Sequence, residues 1–119
     1  MPEKKKQEVN IHANHRARVR KRYLSGGAQS FPDHNLLELL LFYSIPREDT
    51  NDIAHLLLKE FGSFSGVFDA SYEDLQRVKG IGPNSALHIK LMTEVARRYM
   101  VDRAEEKQTI TTTENAIEY

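Results

Sequence analysis

The stretch Leu75-Gln76-Arg77-Val78-Lys79-Gly80-Ile81-Gly82-Pro83-Asn84-Ser85-Ala86 leaves the chain few options. Leu75 and Val78 stand one helical turn apart, two glycines flank a single isoleucine, and Pro83 restarts the chain in a helical φ with no donor to lose. The pattern predicts a helix, a tight corner and a second helix. Gly80 and Gly82 can both take φ > 0 at the corner. Without a Cβ they also leave backbone N–H groups bare beside the first turn of the next helix, and bare amides there can hold a phosphate.

The spacing of Leu75, Val78, Gly80, Ile81, Gly82, Ala86 and Ile89 resembles the helix-hairpin-helix motif of DNA-binding proteins. In that motif Ile81 would plug between the helices and Ala86 would allow them to approach. Carried over residue by residue, the motif implies phosphate-facing amides at Gly80, Gly82, Asn84 and Ser85, and a sodium or potassium ion at the carbonyls of Gln76, Val78 and Ile81. Many such hairpins carry Lys or Arg where this chain has Asn84, so the missing charge falls to Lys79 or Lys90. The competing reading is an αα-corner whose glycines only turn the chain.

Upstream, residues 1–10 are polar and lysine-rich without periodicity and are expected to form a disordered basic arm. Arg16, Arg18, Arg20, Lys21 and Arg22 follow on a first helix ending at Ser25-Gly26-Gly27. This basic face reads either as a phosphate-binding surface or as a solvated helix docking on the acidic middle of the domain. His12 and His15 could share a helix face, but a metal site needs three or four ligands and no third is evident.

Asp33 is expected to cap a buried helix carrying Leu36, Leu37, Leu39, Leu40 and Leu41, and Asp49 or Thr50 to cap a third with Ile53, Ala54, Leu57 and Phe61. A short helix with Phe64, Val67 and Phe68 comes next, and Ser71 opens the helix that leads into the corner. From Pro83, the residues Ala86, Ile89, Thr93, Ala96 and Met100 recur every three or four positions, with Leu91 and Val95 widening the apolar face. No alternating strand pattern precedes residue 107. The expectation is an all-α bundle of five to six short helices over residues 11–103. Leu36 to Leu58 would be a degenerate first copy of the hairpin, with Ile45-Pro46 standing where Ile81-Gly82 does. Lacking the glycines and carrying Glu48, Asp49 and Asp52, that copy should not bind phosphate.

The net charge of zero hides a strong segregation: +6 over residues 1–24, −7 over 25–76, +4 over 77–103 and −3 over 104–119. A basic patch, not the total, is what binds a polyanion. With no cysteine the chain has neither disulfides nor thiolate ligands. No apolar run approaches a membrane span and the N-terminus lacks the apolar stretch of a signal peptide, so a cytoplasmic location without membrane partners is expected.

From His15 to Tyr99 the chain resembles the N-terminal domain of the bacterial RadC family. The resemblance rests on Arg16-Ala17-Arg18, Leu36-Leu37-Glu38-Leu39-Leu40-Leu41, Ile45-Pro46-Arg47, Asp49-Thr50, Ala54-His55-Leu56-Leu57, Phe61-Gly62-Ser63 and Gly80-Ile81-Gly82. It implies a DNA repair-associated protein in which a JAB/MPN-type domain with a His-x-His…Asp zinc site follows. Residues 104–119 resemble a linker and the start of that domain, so the chain is expected to hold the DNA-binding half, with zinc only in the other half. The expected function is non-catalytic, sequence-nonspecific DNA binding with no required cofactor. The alternative is a SAM-like interaction or regulatory domain that docks a partner or the JAB/MPN domain in cis. A glycosylase reading fails because Asn84 stands where its lysine nucleophile would be.

Overall fold

The computed structural model describes the backbone of residues 2–117 and the side chains of residues 13–109. Its helices are α1 (Pro2–Gly26), α2 (Asp33–Leu41), α3 (Thr50–Phe61), α4 (Phe64–Asp69), α5 (Tyr72–Leu75) and α6 (Pro83–Ile117), with a 3-10 turn at Ala28–Ser30 between the first two. The fold is all-α, with no strand among the described residues.

Local chemistry explains most boundaries. The Asp49 carboxylate accepts from the amides of Asn51 and Asp52 and starts α3, while Gly62, in the left-handed conformation at φ 82°, ends it. Ser63 caps α4 by accepting from Gly66 N, and Ser71 caps α5 by accepting from Asp74 N at 3.0 Å. Two expected caps are corrected. Asp33 is the first helical residue of α2 and Pro32 precedes it without a side-chain cap, because Pro at that point already fixes an extended entry. Thr50 is buried, and its hydroxyl donates to Glu38 O instead of capping α3.

The core is built by two helical hairpins facing each other. Leu37, Leu41, Ile45, Ile53, Ala54 and Leu57 come from the α2–α3 pair, and Leu75, Val78, Ile81, Ala86 and Ile89 from the α5–α6 pair. The buried positions Ile53, Ala54 and Leu57 on α3 repeat the spacing of Ser85, Ala86 and Ile89 on α6. The first corner is the longer, since eight positions separate Ile45 from Ile53 and only four separate Ile81 from Ser85. Val67 of α4 closes the core, with Phe61, Phe64 and Phe68 packed at its edge.

The ends differ from expectation. Residues 2–10, expected as a disordered arm, continue α1: Lys, Gln and Glu favour helix, and Pro2 occupies the first position, where proline is tolerated. Residues 104–117, expected as a linker and a new domain's start, continue α6 because neither Gly nor Pro follows Pro83 to interrupt it. Met1, Glu118 and Tyr119 lie outside the described residues. Leu91, Val95, Ala96 and Met100, expected on a buried face, are exposed. Their periodicity is real, but α4 is the last element against α6, and from Val95 to Thr109 every residue is exposed. Leu40 is half-buried rather than buried.

Candidate nucleic-acid interface

The second corner is held from beneath by its first glycine. Gly80 has φ 96°, and a Cβ there would stand 2.7 Å from Ile53 Cδ1, so a side chain would strain the backbone and force Ile53 to shift in the core. Ile81 inserts into the core at 4% exposure, and its amide donates to Val78 O at 3.0 Å. Gly82 is different. Its φ lies outside the left-handed region, so it does not use the freedom glycine offers there, and a Cβ would meet nothing within 4 Å. Its carbonyl accepts the first bond of α6 from Ala86 N. The amides of Gly80, Gly82, Asn84 and Ser85 have no protein acceptor among the described residues. Three of them thus stand at or just ahead of the first turn of a long helix, where uncompensated N–H groups carry partial positive charge.

The first corner faces this loop but is chemically closed. Asp49 occupies the amides at the start of α3, leaving no anion site there. Arg16, expected on the exposed basic face, is turned inward at 7% exposure. It donates to Ile45 O at 2.6 Å, Glu48 O at 2.9 Å and Phe42 O at 3.3 Å, and its guanidinium lies 4.7 Å from the centre of the Phe42 ring. The register of the helix is responsible: Arg16 and Val19 lie three residues apart on the buried stripe of α1. Burial pushes the Arg16 guanidinium below its usual range, Arg20 adds to this, and Glu38 opposes it. Glu38, 1% exposed, has its carboxylate met by His15 Nε2 at 3.1 Å and Asn35 Nδ2 at 3.3 Å. His15 therefore pairs with a carboxylate, and His12's side chain lies outside the described residues.

The remaining expected contacts divide. Lys79 is exposed beside the corner. Lys90 is drawn away from it: its ammonium donates to Phe68 O at 2.9 Å, completing the end of α4. Asn84 Nδ2 reaches Ser44 O at 3.4 Å and ties the two corners together. Ser85 is buried at 4% exposure. Arg18, Arg20, Lys21 and Arg22 are exposed on α1, with Arg20 and Arg22 lying over the rings of Phe42 and Phe31. The Glu48 carboxylate, a negative charge, lies 3.6 Å from where a Gly80 Cβ would be.

A family model described as UPF0758 N-terminal matches residues 11–87. The chain belongs to the UPF0758 family. UPF0758 is the RadC family, in agreement with the resemblance read from the sequence. Among similar UPF0758 proteins, one from Ruegeria pomeroyi is 41% identical over 106 residues, covering 89% of this chain and 47% of the relative. One from Fusobacterium nucleatum is 40% identical over 96 residues, covering 81% and 41%, and one from Coprothermobacter proteolyticus is 38% identical over 102 residues, covering 86% and 43%. The chain spans less than half the length of these curated relatives. No solved structure matches it. The UPF0758 match takes in Arg16, both corners and the first turn of α6, and leaves out the exposed length of that helix.

Two features of this UPF0758 domain escape sequence reasoning. One is the inward Arg16, which a run of five basic residues disguises as a member of a surface patch. The other is an apolar groove of about 500 Å³ between α1, α2, α4 and α6, lined by Tyr23, Leu36, Leu40, Phe64, Phe68 and Met92 among others. Its walls come from four separate helices, so no local pattern announces it. No helix among the described residues is long and apolar enough to cross a membrane.

Proposed function

We propose that this domain is a non-catalytic, sequence-nonspecific DNA-binding module that takes a backbone phosphate on the amides of Gly80, Gly82, Asn84 and Ser85. The observation that carries the reading is Gly82. The fold explains Gly80 completely, since φ and the Ile53 contact both demand glycine, but it gives no reason for glycine at 82. A bare backbone beside unpartnered amides is what close approach of a ligand requires. Lys79 supplies a neighbouring cation, and Arg18, Lys21 and Arg22 extend the electrostatic attraction along α1. Phosphate contacts of this kind position the protein without reading bases. A sodium or potassium ion at the carbonyls of Gln76, Val78 and Ile81 belongs to the same proposal, as does a JAB/MPN domain in cis as the partner in the longer relatives.

The test is retention of duplex and branched DNA as a function of salt, for the wild type and Gly82→Val. The wild type should bind at low salt and weaken with a log–log slope of about −0.9 per phosphate neutralised. Gly82→Val should keep its melting temperature and lose retention. A wild-type domain that ignores DNA at low salt overturns the proposal. The apolar groove between α1, α2, α4 and α6 favours a second reading, a SAM-like docking or regulatory domain, which would then take its place.

A further inference from the structure

The first corner ends in a cluster of carbonyl oxygens around a positive charge, and we infer that it is a cation-binding hairpin whose ligand is the protein's own Arg16 guanidinium. Phe42 O, Ile45 O and Glu48 O converge on that group at 2.6–3.3 Å from a stretch of seven residues, and none of the three accepts from any other donor among the described residues. The face of the Phe42 ring closes the cradle at 4.7 Å. Phe42 sits at the C-terminal end of α2, where carbonyls without intrahelical partners carry partial negative charge. Aligning Ile45 with Ile81 sets Phe42 against Val78 in the sequence, but the turns are built differently: Ile81 N donates to Val78 O, whereas Ile45 N donates to Leu41 O, which leaves Phe42 O for Arg16.

The cradle also has an entrance. A cleft of about 300 Å³ reaches Arg16 from the surface, lined by His15, Arg18, Phe42, Thr50 and Asn51, with the acidic Glu48 and Asp49 also on its wall. Shortening Arg16 therefore leaves a polar, carbonyl-lined space that a free guanidinium ion can enter. The hairpin so fixed is the seat of the second one, because Ile53 supports Gly80 and Ser44 O receives Asn84. Arg16 is thus a positioning residue for the amide loop, a last step that rests on the reading given under Proposed function.

Chemical rescue tests the site. Arg16→Ala should melt well below the wild type, with Arg16→Lys between them, since an ammonium keeps the charge but loses the planar fork. Guanidinium should raise the Tm of Arg16→Ala in proportion to the logarithm of its concentration once that exceeds Kd, by about 4–8 °C at a few times Kd, where binding contributes about 1 kcal/mol. Sodium chloride at equal ionic strength and urea should not reproduce it, and the wild type should show no rise. If Arg16→Ala is unfolded, recovery of its helical circular dichroism in millimolar guanidinium is the same result. The inference is overturned if Arg16→Ala is as stable as the wild type, if guanidinium neither raises its Tm nor refolds it, or if sodium chloride does so equally. DNA retention is measured separately: a wild type that binds no DNA alongside a rescued Arg16→Ala sinks only the functional proposal.

Discussion

Replacing each glycine of the corner by alanine separates the two tasks that one Gly-x-Gly motif performs. At Gly80 the new methyl would stand 2.7 Å from Ile53 Cδ1 and 2.9 Å from Ile53 Cγ1, and the backbone at φ 96° would become strained. Positive φ in a non-glycine residue costs about 1–3 kcal/mol. Overpacking against a core side chain adds about 1–3 kcal/mol. The reduced entropy of the unfolded chain returns only about 0.4–1 kcal/mol. The net loss is about 1–6 kcal/mol, a large share of the roughly 5–15 kcal/mol that holds a small domain together. At Gly82 the same methyl meets nothing within 4 Å and the backbone is unstrained. Exchanging Gly for Ala ahead of a helix costs under about 1 kcal/mol, and the entropy gain offsets it, leaving a change near zero. Urea denaturation followed by circular dichroism gives both values from the midpoints at constant m. Equal destabilisation by Gly80→Ala and Gly82→Ala would refute the division of labour between the two glycines, and with it the argument that Gly82 is kept for a ligand.

Other consequences are open to measurement. Asn84→Lys should tighten duplex binding and steepen the salt slope by about 0.9, at the expense only of an exposed 3.4 Å bond to Ser44 O; Glu48→Gln should also tighten it, by removing a carboxylate beside Gly80, and unchanged retention in both variants would count against a phosphate at this corner. Leu37 is fully buried, so Leu37→Ala should cost about 2–5 kcal/mol in urea, whereas a loss within about 0.5 kcal/mol, the range of surface changes, would contradict its place in the core. Glu94 is held down to about 2 by hydrogen bonds from Arg97 and then Arg98. Because its folded value is the lower one, the pair's contribution, small on an open helix face, is present above its ordinary 4.5 and disappears as pH falls through 2; the stability gap between wild type and Glu94→Gln should close over that window, and a gap constant from pH 6 to 2 would contradict the pairing.

The helices, the caps at Asp49 and Ser71 and the corner at 80–83 were legible in the sequence because each is set within a few residues. Asp49, Gly62, Ser63 and Ser71 act on amides and dihedrals next to themselves, and the spacing of Leu75, Val78, Ile81, Ala86 and Ile89 records one packing seam. The same local logic misled wherever the outcome depended on what stands opposite. Periodicity marked Val95, Ala96 and Met100 as buried, but the first five helices cover only the opening turns of α6. Charge marked Arg16 and Lys90 as free cations for a phosphate, but each was claimed by backbone carbonyls of another helix end, Arg16 by the corner after α2 and Lys90 by the end of α4. Gly80 and Gly82 are the same letter two positions apart. Their difference belongs to Ile53, twenty-seven residues upstream, whose side chain fills the space beside one and leaves the other open. Short-range sterics and hydrogen bonding thus made the elements readable from the chain alone. Which charges stay in water, and which glycine the fold can spare, was decided by long-range packing, because burial depends on what the rest of the molecule brings to the same place.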